Sequence, residues 1–103
     1  MEIIRSKELT AAKTWGSKSI AMMNDISARL YWTDQAYQWH INDGQEVFAV
    51  LDGSVDMFYK KEGEEQMTTL ETDDIFYALI GSEHVDYPES EARILVIASE
   101  DSV

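Results

Sequence analysis

The sequence predicts an all-β protein, a single sandwich or barrel of short strands. Three observations predict it. Runs of roughly four to eight residues rich in Val, Ile, Tyr, Phe and Trp recur along the chain, with turn residues about every ten positions. Asp52-Gly53 lies between two such runs and is the strongest short-range hairpin signal. Neither an internal repeat nor a linker interrupts the 103 residues, so one domain spanning 1–103 is expected.

The elements follow in order. Residues 2–5 fit a short edge strand. Ser6 then fits the N-cap of a brief helical turn over Lys7-Glu8-Leu9-Thr10-Ala11-Ala12. After a turn at Trp15-Gly16-Ser17, strands are expected over Lys18–Met23 and Asp25–Trp32, joined near Asn24-Asp25. In the second of these, Ile26, Ala28, Leu30 and Trp32 share one face opposite Ser27, Arg29, Tyr31 and Thr33, the alternation of a half-buried strand.

Thr33-Asp34-Gln35 leads into a strand ending at Asn42-Asp43-Gly44, whose turn chemistry stops it. Along this strand Gln38, His40 and Asn42 point one way and Tyr37, Trp39 and Ile41 the other. Glu46–Leu51 is apolar after its glutamate. With Asp52-Gly53 as a two-residue loop, Val50 would face Val55, Phe48 would face Met57 and Glu46 would face Tyr59. Glu46, Phe48, Val50, Val55, Met57 and Tyr59 then form one inward face. Lys60–Glu65 is expected as a charged loop with Gly63 at its tip. Gln66–Leu70, Asp74–Leu79, His84–Tyr87 and Arg93–Ala98 complete the strands, with turns at Glu71–Asp73 and Pro88–Glu91 and a loose tail from Ser99.

Composition excludes several function classes. With no cysteine, disulfides, thiolate metal sites and cysteine nucleophiles are ruled out. A formal net charge of −12 argues against nucleic acid, which needs a basic face, and against anionic membrane surfaces. No apolar run approaches the length of a membrane span, and the N-terminus lacks the apolar core of a signal peptide. A cytoplasmic location is the resulting expectation. The segments 47–51, 75–80 and 94–97 are apolar on both faces, which implies an exposed apolar patch and hence a homodimer.

A glutamate at the head of an apolar face is costly to bury unless it is paired or bound to a cation. His40, Glu46 and His84 are side chains of the kind that divalent cations take, although no local spacing brings them together.

The chain resembles the cupin superfamily. The first motif, G-x5-H-x-H-x(3,4)-E-x6-G, reads here as Asp34-x5-His40-x-Asn42-x3-Glu46-x6-Gly53, and the second reads Asp73-x5-Leu79-x-Gly81-x2-His84-x3-Pro88. Both histidines of the chain fall on motif histidines. The match covers about residues 36–98, and it is most similar to small one-domain cupins resembling mannose-6-phosphate isomerases, where Trp-His precedes the strand. The resemblance implies a small double-stranded β-helix, the jelly-roll barrel. It also implies a divalent metal ion (Fe²⁺, Mn²⁺, Zn²⁺ or Ni²⁺) held by His40, Glu46, His84 and Asn42. Asn42 replaces the usual second histidine, so binding is expected to be weak.

Within such a pocket His84 and His40 are the candidate catalytic groups, since histidine titrates near neutral pH. Asp86 falls on the face of His84, where it either orients the ring or points to solvent. Gln38, Tyr59, Phe48 and Met57 are the candidate contacts for a small-molecule ligand. Two functions stay open: a metal-dependent enzyme of oxygenase or isomerase type, and a module that binds or senses a small ligand with weak metal or none.

Overall fold

The computed structural model describes residues 3–9, 16–35, 40–41, 44–78 and 83–99, and of His40 and Ile41 the backbone alone. Two antiparallel sheets face one another. The first has the order β1 (Gly16–Met23), β2 (Ile26–Thr33), β9 (Ala92–Ser99), β4 (Glu46–Asp52), β7 (Ile75–Ala78). The second runs β3 (His40–Ile41), β8 (Glu83–Pro88), β5 (Val55–Lys61), β6 (Glu64–Leu70). The all-β jelly-roll barrel expected from the sequence is the fold observed.

The pairing expected of β4 and β5 is overturned. β4 pairs with β9 and β7, whereas β5 pairs with β6 and β8, so the two strands lie in opposite sheets. Asp52-Gly53 is therefore the corner where the chain crosses between sheets. The corner is held from outside the turn: the Asp73 amide donates to Val50 O at 2.8 Å, Thr72 Oγ1 to Gly53 O at 2.9 Å and the Glu89 amide to Ser54 O at 3.1 Å. Arg93 Nη1 grips Asp52 Oδ2 at 2.8 Å. Gly53 has φ +85°, and a Cβ there would stand 2.5 Å from the Glu91 carbonyl oxygen, so the position demands glycine.

The inward face survives the change of pairing, because alternation along each strand is unaffected by which strand lies beside it. Phe48, Val50, Val55 and Met57 form the core with Leu70, Ala92 and Ile94, and Tyr59, Phe76 and Val96 pack against it. Facing one another across the sandwich, they bury what a paired hairpin would have put side by side.

β1 and β2 form a hairpin around Asn24-Asp25, with Asn24 in the left-handed region at φ 57°. β1 starts at Gly16, where a turn was expected. The alternation of β2 is real, but its apolar side is the outer one. Ala28 and Leu30 are in register with Ile97 and Leu95, while Arg29 and Tyr31 are in register with Val96 and Ile94 of the core side. Leu30 is nonetheless only 1% exposed. Part of the cover on that outer side is the N-terminal segment: its 3₁₀ turn Ser6–Glu8 packs on β4, and Arg93 Nε donates to Leu9 O at 3.0 Å. Residues 3–5 are not a strand, and Ser6 is the first residue of the 3₁₀ turn rather than its cap, which is Arg5 without a capping side chain.

The charged loop expected at 60–65 is instead a tight hairpin. Glu62 and Gly63, at φ 55° and 80°, make the turn, and Lys60 and Lys61 pair with Glu65 and Glu64. The doubly apolar strands lie together in the first sheet. Their outer side carries Val47, Ala49, Leu95 and Ile97, half-buried, beside Ile75 and Tyr77 of edge strand β7, which are exposed.

Candidate functional site

Glu46 begins β4 and is 5% exposed, and His84 follows Glu83 in β8 and is 1% exposed. The two strands belong to opposite sheets, yet Glu46 Oε1 and His84 Nε2 stand 4.0 Å apart across the barrel. Behind the ring, Asp86 Oδ1 is 3.5 Å from His84 Nδ1, and Asp86 is 2% exposed. Alternation along β8 produces this arrangement, since residues two apart share a face. The imidazole thus has a carboxylate on each nitrogen side, and Phe76 lies against it with ring centroids 6.0 Å apart.

Glu46 does not lie beside Tyr59 as the hairpin register required; its neighbours are Ala78 and Ala98. Tyr59 is instead in register with His84, and its hydroxyl is 3.3 Å from Thr68 Oγ1. Phe48 and Met57 are 3% and 0% exposed within the core. The β3 backbone pairs with β8 so that His40 is directly opposite His84. Gln38 and Asn42 lie outside the described residues, as do Leu79 and Gly81 of the second motif.

Among the described residues no group of three or more His, Asp or Glu side chains is arranged to hold a metal ion. The donors Glu46 Oε1 and His84 Nε2 do converge in a buried place, and their chemistry suits a divalent ion. Asp86 behind the ring has the position of a group that orients a metal-bound histidine. A separate cavity of about 290 Å³ lies on the outer side of the second sheet, lined by Asp56, Phe58, Glu65, Val85 and Tyr87, on the opposite face of β8 from His84 and Asp86.

Sequence reasoning missed the inner residues of β2, Arg29 among them. Arg29 stands on the inner side of β2, in the register row of Val96 and Phe48. The signal was the polar half of the β2 alternation, which reads as a solvent face until the sheet order is known.

Solved structures carry the same arrangement of strands. A cupin-2 domain protein from Shewanella frigidimarina is 27% identical, with 86% of this chain and 84% of that one covered and a TM-score of 0.76. The chain has the cupin fold. A cupin superfamily protein from Desulfitobacterium hafniense is 14% identical over 93% of this chain and 87% of its own, with a TM-score of 0.78. Hydroxypropylphosphonic acid epoxidase from S. wedmorenis, solved with fosfomycin, is 11% identical over 79% of this cupin and 49% of its own chain, with a TM-score of 0.68. No family model matches the sequence, and no curated protein matches it either. No helix among the described residues is long and apolar enough to cross a membrane.

Proposed function

We propose that this cupin is a metal-binding protein that takes a small organic molecule in its barrel, of the subgroup similar to mannose-6-phosphate isomerases. The observation that carries the reading is the meeting of Glu46 and His84 at 4.0 Å, both almost wholly buried. A carboxylate is expensive to bury without a compensating cation, and a divalent ion beside an imidazole is one such partner. Glu46 and His84 would hold the ion, joined by His40 from the neighbouring strand and by Asn42. When bound, it would polarise a ligand oxygen or acidify a water, which is the chemistry of isomerase or oxygenase reactions. Asp86 would fix the His84 ring with Nε2 toward Glu46. The Phe76 ring and the apolar core behind it would keep water from the far side of the pair.

A second reading is a ligand-binding or sensing module with weak metal or none. Its support is that only two donors converge among the described side chains, and that Asn42 offers an amide oxygen where the motif has imidazole. Elemental analysis of protein purified without a polyhistidine tag separates the two readings. Partial occupancy by Fe, Mn, Zn or Ni, restored by adding the ion, supports the first. The first reading fails if none of these ions stabilises either the natural protein or its Asn42→His variant.

A further inference from the structure

The polar side of β2 faces the inside of the barrel. Across the first sheet one register row reads Ser19, Arg29, Val96, Phe48, Phe76, and Phe48 belongs to the core. The adjacent row reads Met22, Ser27, Ala98, Glu46, Ala78. On the other side of the Arg29 row, Ser17, Tyr31, Ile94 and Val50 are aligned. The interior surface is thus apolar at β4 and β9 and becomes Ser17, Ser19, Ser27, Arg29 and Tyr31 toward the β1–β2 edge.

Arg29 is exposed, and among the described residues it makes no ion pair or hydrogen bond. Arg5, Lys7 and Lys61 are likewise without such a partner among the described residues; what sets Arg29 apart is its place in the register row of Val96 and Phe48. Arg93 is bound to Asp52 and Glu91, and Lys60 pairs with Glu83. β9 separates β2 from β4, and Arg29 is one row of side chains away from Glu46. Their backbones are therefore roughly 12 Å apart, from ordinary strand spacing and rise.

We propose that Arg29 is a binding residue for the carboxylate of a small organic acid whose other end lies against Glu46 and His84. The planar guanidinium matches a carboxylate in a two-bond fork, and Ser27 and Tyr31 in the rows on either side are further polar neighbours. A singly charged carboxylate suits the site better than a phosphate. One arginine faces an interior that already holds Glu46 and Asp86 in a protein of net charge −12, which opposes a second negative charge on the ligand. The proposal deepens the pocket reading above by giving its ligand class.

The test titrates glycolate and lactate, with glycolamide and lactamide as neutral counterparts, into the metal-free and the Zn²⁺-loaded protein, followed by ¹H–¹⁵N chemical shifts. The acids are expected to bind and the amides not to. Arg29→Gln should weaken acid binding at least about tenfold, the scale of a charge-assisted hydrogen bond, and Arg29→Lys should recover part of it. Mn²⁺ affinity, read from water proton relaxation, should be the same in Arg29→Gln as in the natural protein. Equal acid binding by Arg29→Gln, equal binding of acids and amides, or no acid binding at all would overturn the proposal. Failure of Mn²⁺ to bind while acid binding still depends on Arg29 would defeat the metal reading and leave this one standing.

Discussion

The Glu46 carboxylate of β4 and the His84 imidazole of β8 come from opposite sheets and stand 4.0 Å apart, with Asp86 3.5 Å behind the ring. Nothing in the local sequence joins them. They meet because the corner at Asp52-Gly53 sends the chain into the second sheet, and β8 then pairs with β5.

Metal affinity should depend on each member of this row. On the proposed reading Glu46→Gln removes a charged ligand and should abolish the rise in thermal midpoint expected on adding Mn²⁺ or Zn²⁺. Asp86→Asn should weaken metal binding by about 10–100-fold, as loss of a ring-orienting carboxylate does elsewhere. Asn42→His should tighten it. Calorimetric titration of the metal-free proteins checks all three.

Among the described residues Gly53 and Gly63 have positive φ, and they should respond differently to alanine. At Gly63 nothing lies within 4 Å of the new Cβ, so only the left-handed backbone is penalised, about 1–2 kcal/mol. At Gly53 the Cβ would also meet the Glu91 carbonyl oxygen at 2.5 Å, and backbone must move. Gly53→Ala should therefore lose clearly more stability than Gly63→Ala in urea unfolding. Equal losses would mean that the corner is not packed as described.

Core truncation should be felt most where burial is complete. Met57→Ala, at a site 0% exposed within the core cluster, is expected to cost about 2–5 kcal/mol. Phe48→Ala should cost about 3–5 kcal/mol. Chemical denaturation measures both. A loss under about 1 kcal/mol at either site would contradict a core shared by the two sheets.

Arg93 should hold the N-terminal segment in place. Its Nη1 binds Asp52 and Glu91 while its Nε reaches Leu9 O. Arg93→Met keeps most of the volume and loses these bonds. Amide exchange at Glu8 and Leu9, whose amides donate to Arg5 O and Ser6 O, should accelerate well beyond that of β6.

We expect a homodimer formed through the outer side of the first sheet. Ile75 and Tyr77 are 68% and 53% exposed beside half-buried Val47 and Ile97. Ile75→Glu with Tyr77→Glu should shift sedimentation from dimer to monomer. A natural protein that sediments as a monomer at micromolar concentration would refute this.

Much was legible in the sequence because alternation is a local property. The strands, the inward set Phe48, Val50, Val55 and Met57, and the shared face of His84 and Asp86 follow from a period of two, whatever lies beside each strand. The positive-φ positions Gly53 and Gly63 were marked as turn or loop positions because turn chemistry is local too. Tertiary structure decided what those faces meet. Asp52-Gly53 can close a hairpin or turn a corner, and bonds from Asp73, Thr72, Glu89 and Arg93, all distant in sequence, chose the corner. That choice placed Glu46 opposite His84 rather than beside Tyr59. On β2 the sequence showed one apolar and one polar side. The pairing of β2 with β9 set Arg29 toward the interior and Leu30 toward the outer side, where Leu30 is buried all the same. Which of two faces is the inside depends on sheet order, and sheet order is fixed by contacts between strands far apart in the chain.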